Sequence, residues 1–91
     1  MNPAPYTVTF SRQARTALTR DLPEAVAAAC FEFIRGPLVA NPHRVGKALR
    51  PPLDGLMSAR RGDFRVVYEI RESVVTVHVV AVQHRRDAYR T

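Results

Sequence analysis

The sequence predicts a small single α+β domain: a strand and two helices, followed by a three-stranded antiparallel meander, with the helices packed on one face of the sheet. Three observations carry that expectation. Large apolar and threonine residues alternate at 6–10, apolar residues recur at helical spacing across 26–34, and three β-rich runs after residue 56 are separated by very short gaps. A chain of 91 residues allows one domain. An apolar fraction of 46% is ordinary for a globular fold and too high for a disordered basic tail.

Residues 1–5 hold two prolines and are expected to form a flexible N-terminal arm, leaving residues 6–91 for the domain. Tyr6 to Phe10 reads as a half-buried strand. Ser11 offers an N-cap for a short helix, Arg12 to Thr19, with Ala14, Ala17 and Leu18 on one side. Pro23 suits the first turn of a second helix running to about Arg35. Val26, Cys30, Phe33 and Ile34 share one face of that helix, which makes Cys30 a buried small hydrophobe rather than a reactive thiol. Gly36-Pro37 is expected to break the helix, and an irregular basic stretch follows from Asn41, with a second break at Pro51-Pro52.

The meander comprises Met57–Arg61, Phe64–Arg71 and Val74–Val82. Gly62-Asp63 fits a two-residue type II′ turn with glycine first, which sets Arg60 opposite Arg65 and Ser58 opposite Val67. Phe64, Val66, Tyr68 and Ile70 share the core face of the middle strand, and Val75, Val77, Val79 and Ala81 are expected to join them from the last. A one-residue slip would bury Arg65 and Glu69, so register is strongly specified. The loop at Glu72-Ser73 then has two residues, or four because it lacks glycine. In this register Arg60, Arg65, Val80 and His84 lie on the face opposite the helices.

Charge is uneven. The formal net charge is +6, from 14 Lys+Arg and 8 Asp+Glu, and all but one unit lies in residues 44–91. Such a field suits a polyanionic partner. Lys47 is the single lysine; the rest are arginines, which bind phosphate as planar bidentate forks. Codon bias accounts for the Arg-to-Lys ratio but not for the asymmetry between halves. Arg60 opposite Arg65 repels by a few tenths to about 1 kcal/mol, which an anion between them relieves and splaying into solvent also relieves. The tail His84-Arg85-Arg86-Asp87-Ala88-Tyr89 joins an acid–base group, phosphate forks and a stacking ring, although the usual fate of such a run is a solvated terminus. Scattered histidines and one cysteine make a weak metal site. Phosphate loops, nucleophile elbows and helix-turn-helix patterns are absent. The first residues lack a signal-peptide pattern and no apolar run reaches about 20 residues, so a cytoplasmic protein is expected.

Arg44-Val45-Gly46-Lys47-Ala48-Leu49-Arg50, Ser58-Ala59-Arg60-Arg61-Gly62-Asp63-Phe64-Arg65-Val66-Val67-Tyr68 and His84-Arg85-Arg86-Asp87-Ala88-Tyr89 together resemble the RelE/ParE toxin superfamily, RelE-like branch, over nearly the whole chain from Tyr6. That resemblance implies the toxin of a type II toxin–antitoxin system. Its RelE-like members enter the ribosomal A site and cut mRNA by attack of the RNA's own 2′-hydroxyl, with no metal or other cofactor. Partners so implied are a cognate antitoxin, in a hetero-oligomer, and the ribosome with its A-site mRNA, with no membrane. By family position Arg65 binds the scissile phosphate, Arg85 stabilises or protonates the leaving group and Tyr89 stacks on the substrate. Arg60, Arg61, Arg50 and Arg86 extend the phosphate-binding surface. One departure concerns the base: the strand positions that supply lysines in some members are Leu56 and Ser58 here. That leaves Lys47 and His84; Lys47 must shed its proton to act as a base, which nearby arginines favour. A gyrase inhibitor of the ParE kind, a binding module without RNA cleavage, is the alternative, and a non-toxic partner in a DNA-binding complex is a third.

Overall fold

The computed structural model describes residues 5–84. Strand β1 (Thr7–Phe10) leads through Ser11 into helix α1 (Arg12–Thr16), which continues as a wide π turn over Ala17–Asp21. Helix α2 (Glu24–Phe33) likewise runs on as a π turn over Ile34–Leu38. A short helix α3 (Pro42–Val45) precedes strands β2 (Lys47–Ala48), β3 (Met57–Arg61), β4 (Phe64–Arg71) and β5 (Thr76–His84). The sheet order is β1-β5-β4-β3-β2. The expected meander is its centre. β1 adds parallel to β5, and β2 adds antiparallel to β3.

Local chemistry explains the start of α1 and the β3–β4 turn. The Ser11 hydroxyl accepts from the Ala14 amide at 3.0 Å, as an N-cap should. Gly62 has φ +58° while Asp63 stays at negative φ, so glycine takes the position that the tight hairpin requires. Arg60 pairs with Arg65 and Ser58 with Val67, as the turn implies. Gly36-Pro37 does not end the helix. Proline lacks an N–H, and the wide turn absorbs that loss while buried Ile34, Leu38 and Val39 hold the segment against the core.

The core lies between the helices and one sheet face. Ala14, Leu18, Cys30, Phe33 and Ile34 meet Phe64, Val66, Tyr68, Val77, Val79 and Val82. Val82, rather than Ala81, completes the apolar row on β5. Register shifts opposite Val67 and Tyr68, where Val80 is an extra residue, and this bulge reverses the alternation beyond it. The loop before β5 has four residues: a 3₁₀ turn over Glu72–Val74 and then Val75. Val74 and Val75 are therefore exposed turn residues and not the start of the strand.

Val75 sits at φ 47°, a left-handed conformation costing a β-branched residue about 1–2 kcal/mol. Its side chain is half exposed, so little packing offsets that cost. Val75→Gly is expected to stabilise the domain by about 0.5–1 kcal/mol after glycine's larger unfolded-state entropy is counted. A thermal scan showing a lower Tm for the variant would contradict the strain.

Burial pushes the Cys30 thiol up from 9.0 to about 12 and the Tyr68 phenol from 10.0 to about 12. An unfolded chain releases these protons first, whereas the native state must keep them. Stability is therefore full below about pH 9 and falls as pH rises toward 12, by about 1.4 kcal/mol per pH unit for each group whose unfolded form has ionised. Urea midpoints measured at pH 8 and pH 11 check this, and equal midpoints would be inconsistent with both shifts.

Candidate phosphate-binding cleft

Two cross-strand rows define the sheet face turned away from the helices, because directly paired residues share a face. One row is Arg60, Arg65 and Gln83; the next is Lys47, Ser58, Val67 and Ala81. Lys47, Ser58, Arg60 and Arg65, with Val45, Ala48 and Leu49, line a cleft of about 510 Å³. All three cationic side chains are exposed. No carboxylate lines this cleft among the described residues. Farther along β4 the Arg71 Nε donates to Glu69 at 2.6 Å, so that arginine's charge is locally balanced. Three cations converging without an acid make a receptor for an anion with several oxygens, and arginine forks suit phosphate in particular.

Strand β2 was missed by sequence reasoning, which left residues 41–52 irregular. Two residues have no period to detect. Its position depends on Gly46 and Tyr68. A Cβ at Gly46 would lie 2.2 Å from the Tyr68 hydroxyl and 3.0 Å from the Ser58 carbonyl, so only glycine allows this close approach. The Tyr68 hydroxyl donates to the Pro42 carbonyl at 2.6 Å, inside the core. The outer side of α3 is bracketed as well: the His43 imidazole meets Glu72, whose carboxylate also accepts from the Tyr6 hydroxyl at 3.1 and 3.2 Å. Desolvation first, then the Glu72 hydrogen bond and charge, raise the Tyr6 pKa.

Not every expected site residue reaches the cleft. Arg61 alternates to the helix side, where its guanidinium lies over the Phe33 ring at 5.8 Å beside a smaller pocket lined by Ala29, Glu32 and Pro37. His84 pairs with Phe64 and so falls on the helix side too. The sequence register set Val80 and His84 beside Arg60 and Arg65; the extra residue at Val80 is what moves His84 away. Arg50 is exposed in the loop after β2, where its carbonyl accepts from the Leu53 amide at 2.9 Å, and it does not line the cleft. Arg85, Arg86 and Tyr89 lie outside the described residues. Among the described residues, no group of three or more His, Cys, Asp or Glu side chains could hold a metal ion, and no helix is long and apolar enough to cross a membrane.

Comparison with known proteins adds an independent line. Residues 8–89 match the family described as the ParE toxin of the type II toxin–antitoxin system parDE. Toxin RelE of Mycobacterium tuberculosis is 51% identical over 86 residues, covering 94% of this chain and 88% of that protein. Toxin RelG of the same organism is 48% identical, over 94% of this chain and 98% of its own. Among solved structures, the toxin–antitoxin complex RelBE2 from M. tuberculosis superposes with a TM-score of 0.86 at 46% identity, covering 90% of this chain and all of the matched one. The isolated Escherichia coli RelE toxin shares the fold, with a TM-score of 0.70 at 20% identity over 87% of this chain and 83% of that one. The chain belongs to the ParE toxin family, within the RelE/ParE superfamily of type II toxin–antitoxin toxins.

Proposed function

We propose that this toxin is a ribosome-dependent endoribonuclease that cuts mRNA in the A site. The observation that carries the reading is the cleft holding Lys47, Arg60 and Arg65 on one sheet face, with no carboxylate in its lining among the described residues. Relatives at about 50% identity named as RelE and RelG toxins support it.

The chemistry fits these residues. Attack of a 2′-hydroxyl on the adjacent phosphorus forms a P–O bond and breaks the bond to the 5′-oxygen, leaving a 2′,3′-cyclic phosphate and a 5′-hydroxyl. Negative charge grows on the non-bridging oxygens, where the Arg65 and Arg60 guanidiniums stabilise it. The 2′-oxygen must lose a proton and the 5′-oxygen must gain one. Lys47 borders the same cleft and takes the first role or holds the phosphate. Arg85 and Tyr89 are assigned the leaving-group and stacking roles by family position. Because the nucleophile comes from the RNA, the reaction is written without a cofactor.

In this reading an acidic or amphipathic antitoxin segment covers the basic surface and silences it. The RelBE2 complex, solved with its antitoxin, supports such a pairing. A ribosomal target places the toxin's action in the cytoplasm. Primer extension on ribosome-bound mRNA after induction tests the proposal. Codon-specific cuts in translated messages are expected. Trapped DNA breaks with intact mRNA would replace it with inhibition of gyrase.

A further inference from the structure

The segment that brings Lys47 to the cleft rests on a buried Pro42, on Val45 packed against the core and on the Leu49 amide donating to the Leu56 carbonyl at 3.0 Å, with little regular structure of its own. α3 has four residues and β2 has two, both too short to persist without tertiary support. β2 contributes only the pairs Lys47 with Ser58 and Ala48 with Met57. Apolar burial at Pro42 and Val45 is non-directional, so register depends on a polar anchor as well.

Tyr68 supplies one. Its side chain is fully buried on β4, opposite Met57 of β3. The hydroxyl donates to the carbonyl of Pro42, the first residue of α3. The same oxygen lies where a side chain at Gly46 would have to go, one residue before Lys47. A single hydroxyl thus touches both the entrance and the exit of α3. Burial keeps this phenol protonated, and so a donor, well above neutral pH. The second tether, His43 with Glu72 and Tyr6, is on the surface, with side chains of His43 and Glu72 60% and 62% exposed, where solvent weakens it. Along β4, Tyr68 points to the helix side while Arg65 points to the cleft, so Tyr68 does not touch substrate there.

We propose that Tyr68 is a positioning residue that acts through Lys47, its hydroxyl clamping the α3–β2 segment so that the lysine stays in register with Arg60 and Arg65. The inference rests on the cleavage reading for its consequence in activity, but the clamp itself can be measured without activity.

Tyr68→Phe removes the hydroxyl and keeps the ring. In the full chain, amide hydrogen exchange over residues 43–49 is expected to accelerate about tenfold, the loss of one buried hydrogen bond, while β4 and β5 keep their protection. Unchanged exchange over 43–49 overturns the clamp. Single-turnover cleavage on programmed ribosomes then separates positioning from general destabilisation. Tyr68→Phe should slow cleavage about tenfold in the wild-type and Arg65→Ala backgrounds and less than about twofold in Lys47→Ala. Equal losses in all three backgrounds overturn the route through Lys47. Should the wild-type toxin cut no ribosome-bound mRNA, the cleavage reading fails, and the exchange result alone decides whether the clamp exists.

Discussion

Arg65→Ala is expected to abolish growth inhibition by the induced toxin while leaving antitoxin binding within a few-fold of wild type. Arg65 sits on the exposed face of β4, paired with Arg60 on one side and Gln83 on the other, and lines the cleft with Lys47. On the proposed cleavage reading, its removal takes a fork from the phosphate oxygens where charge grows, an effect worth about 10²–10³ in rate for a preorganised donor. Truncation at an exposed position whose cleft holds no carboxylate among the described residues should barely disturb the fold, and it relieves repulsion from Arg60. If the antitoxin buries a surface of ordinary size, about 20–30 residues a side, the other contacts remain when one exposed side chain is truncated. Growth curves and a pull-down with the antitoxin read both halves of the result. Undiminished toxicity would remove Arg65 from the site.

The second large effect lies at Gly46. Gly46→Ala places a methyl 2.2 Å from the Tyr68 hydroxyl, 3.0 Å from its Cζ and 3.0 Å from the Ser58 carbonyl. The backbone at Gly46 is extended, so the objection is crowding and not conformation. Overpacking of this kind costs about 1–3 kcal/mol. Relief must come by moving the α3–β2 segment outward, which carries Lys47 from the cleft, so activity should fall along with stability. Adding Tyr68→Phe removes the nearest atom and should recover part of the stability, but not all, because Cζ and the Ser58 carbonyl remain. Urea unfolding of the two single variants and the double variant measures this coupling. A Gly46→Ala midpoint matching wild type would show that the approach is looser than the structure has it.

These two sites differ in how visible they were in the sequence. Arg65 was legible because the Gly62-Asp63 turn and strict alternation from Phe64 to Ile70 leave one register, and that register fixes its face and its partner Arg60. The helical face through Cys30, Phe33 and Ile34 was legible for the same reason: several residues repeat one period. Gly46 and Tyr68 were not. Tyr68 reads as one more apolar position on a strand, and nothing near it in the chain tells where its hydroxyl goes. Pro42 is 26 residues away. The placement of His84 failed for a related reason. A bulge is one unpaired residue, and its location at Val80 depends on how β5 meets β4, where Val82 fills the core better placed than Ala81.

By itself the sequence determined the α+β class, the central antiparallel strands with their hairpin register, the capped start of α1, the apolar helix face and a surplus of cations after residue 43. Each of these is local or periodic: a turn type, a cap, an alternation or a count. Only the tertiary structure decided that β1 runs parallel to β5, that a two-residue β2 closes the far edge, and that Lys47 joins Arg60 and Arg65 while Arg61 and His84 turn to the other side. Those outcomes depend on contacts between residues far apart in the chain. A hydroxyl reaching a distant carbonyl, or one extra residue between two strands, changes which face a side chain takes without leaving a mark on the local pattern.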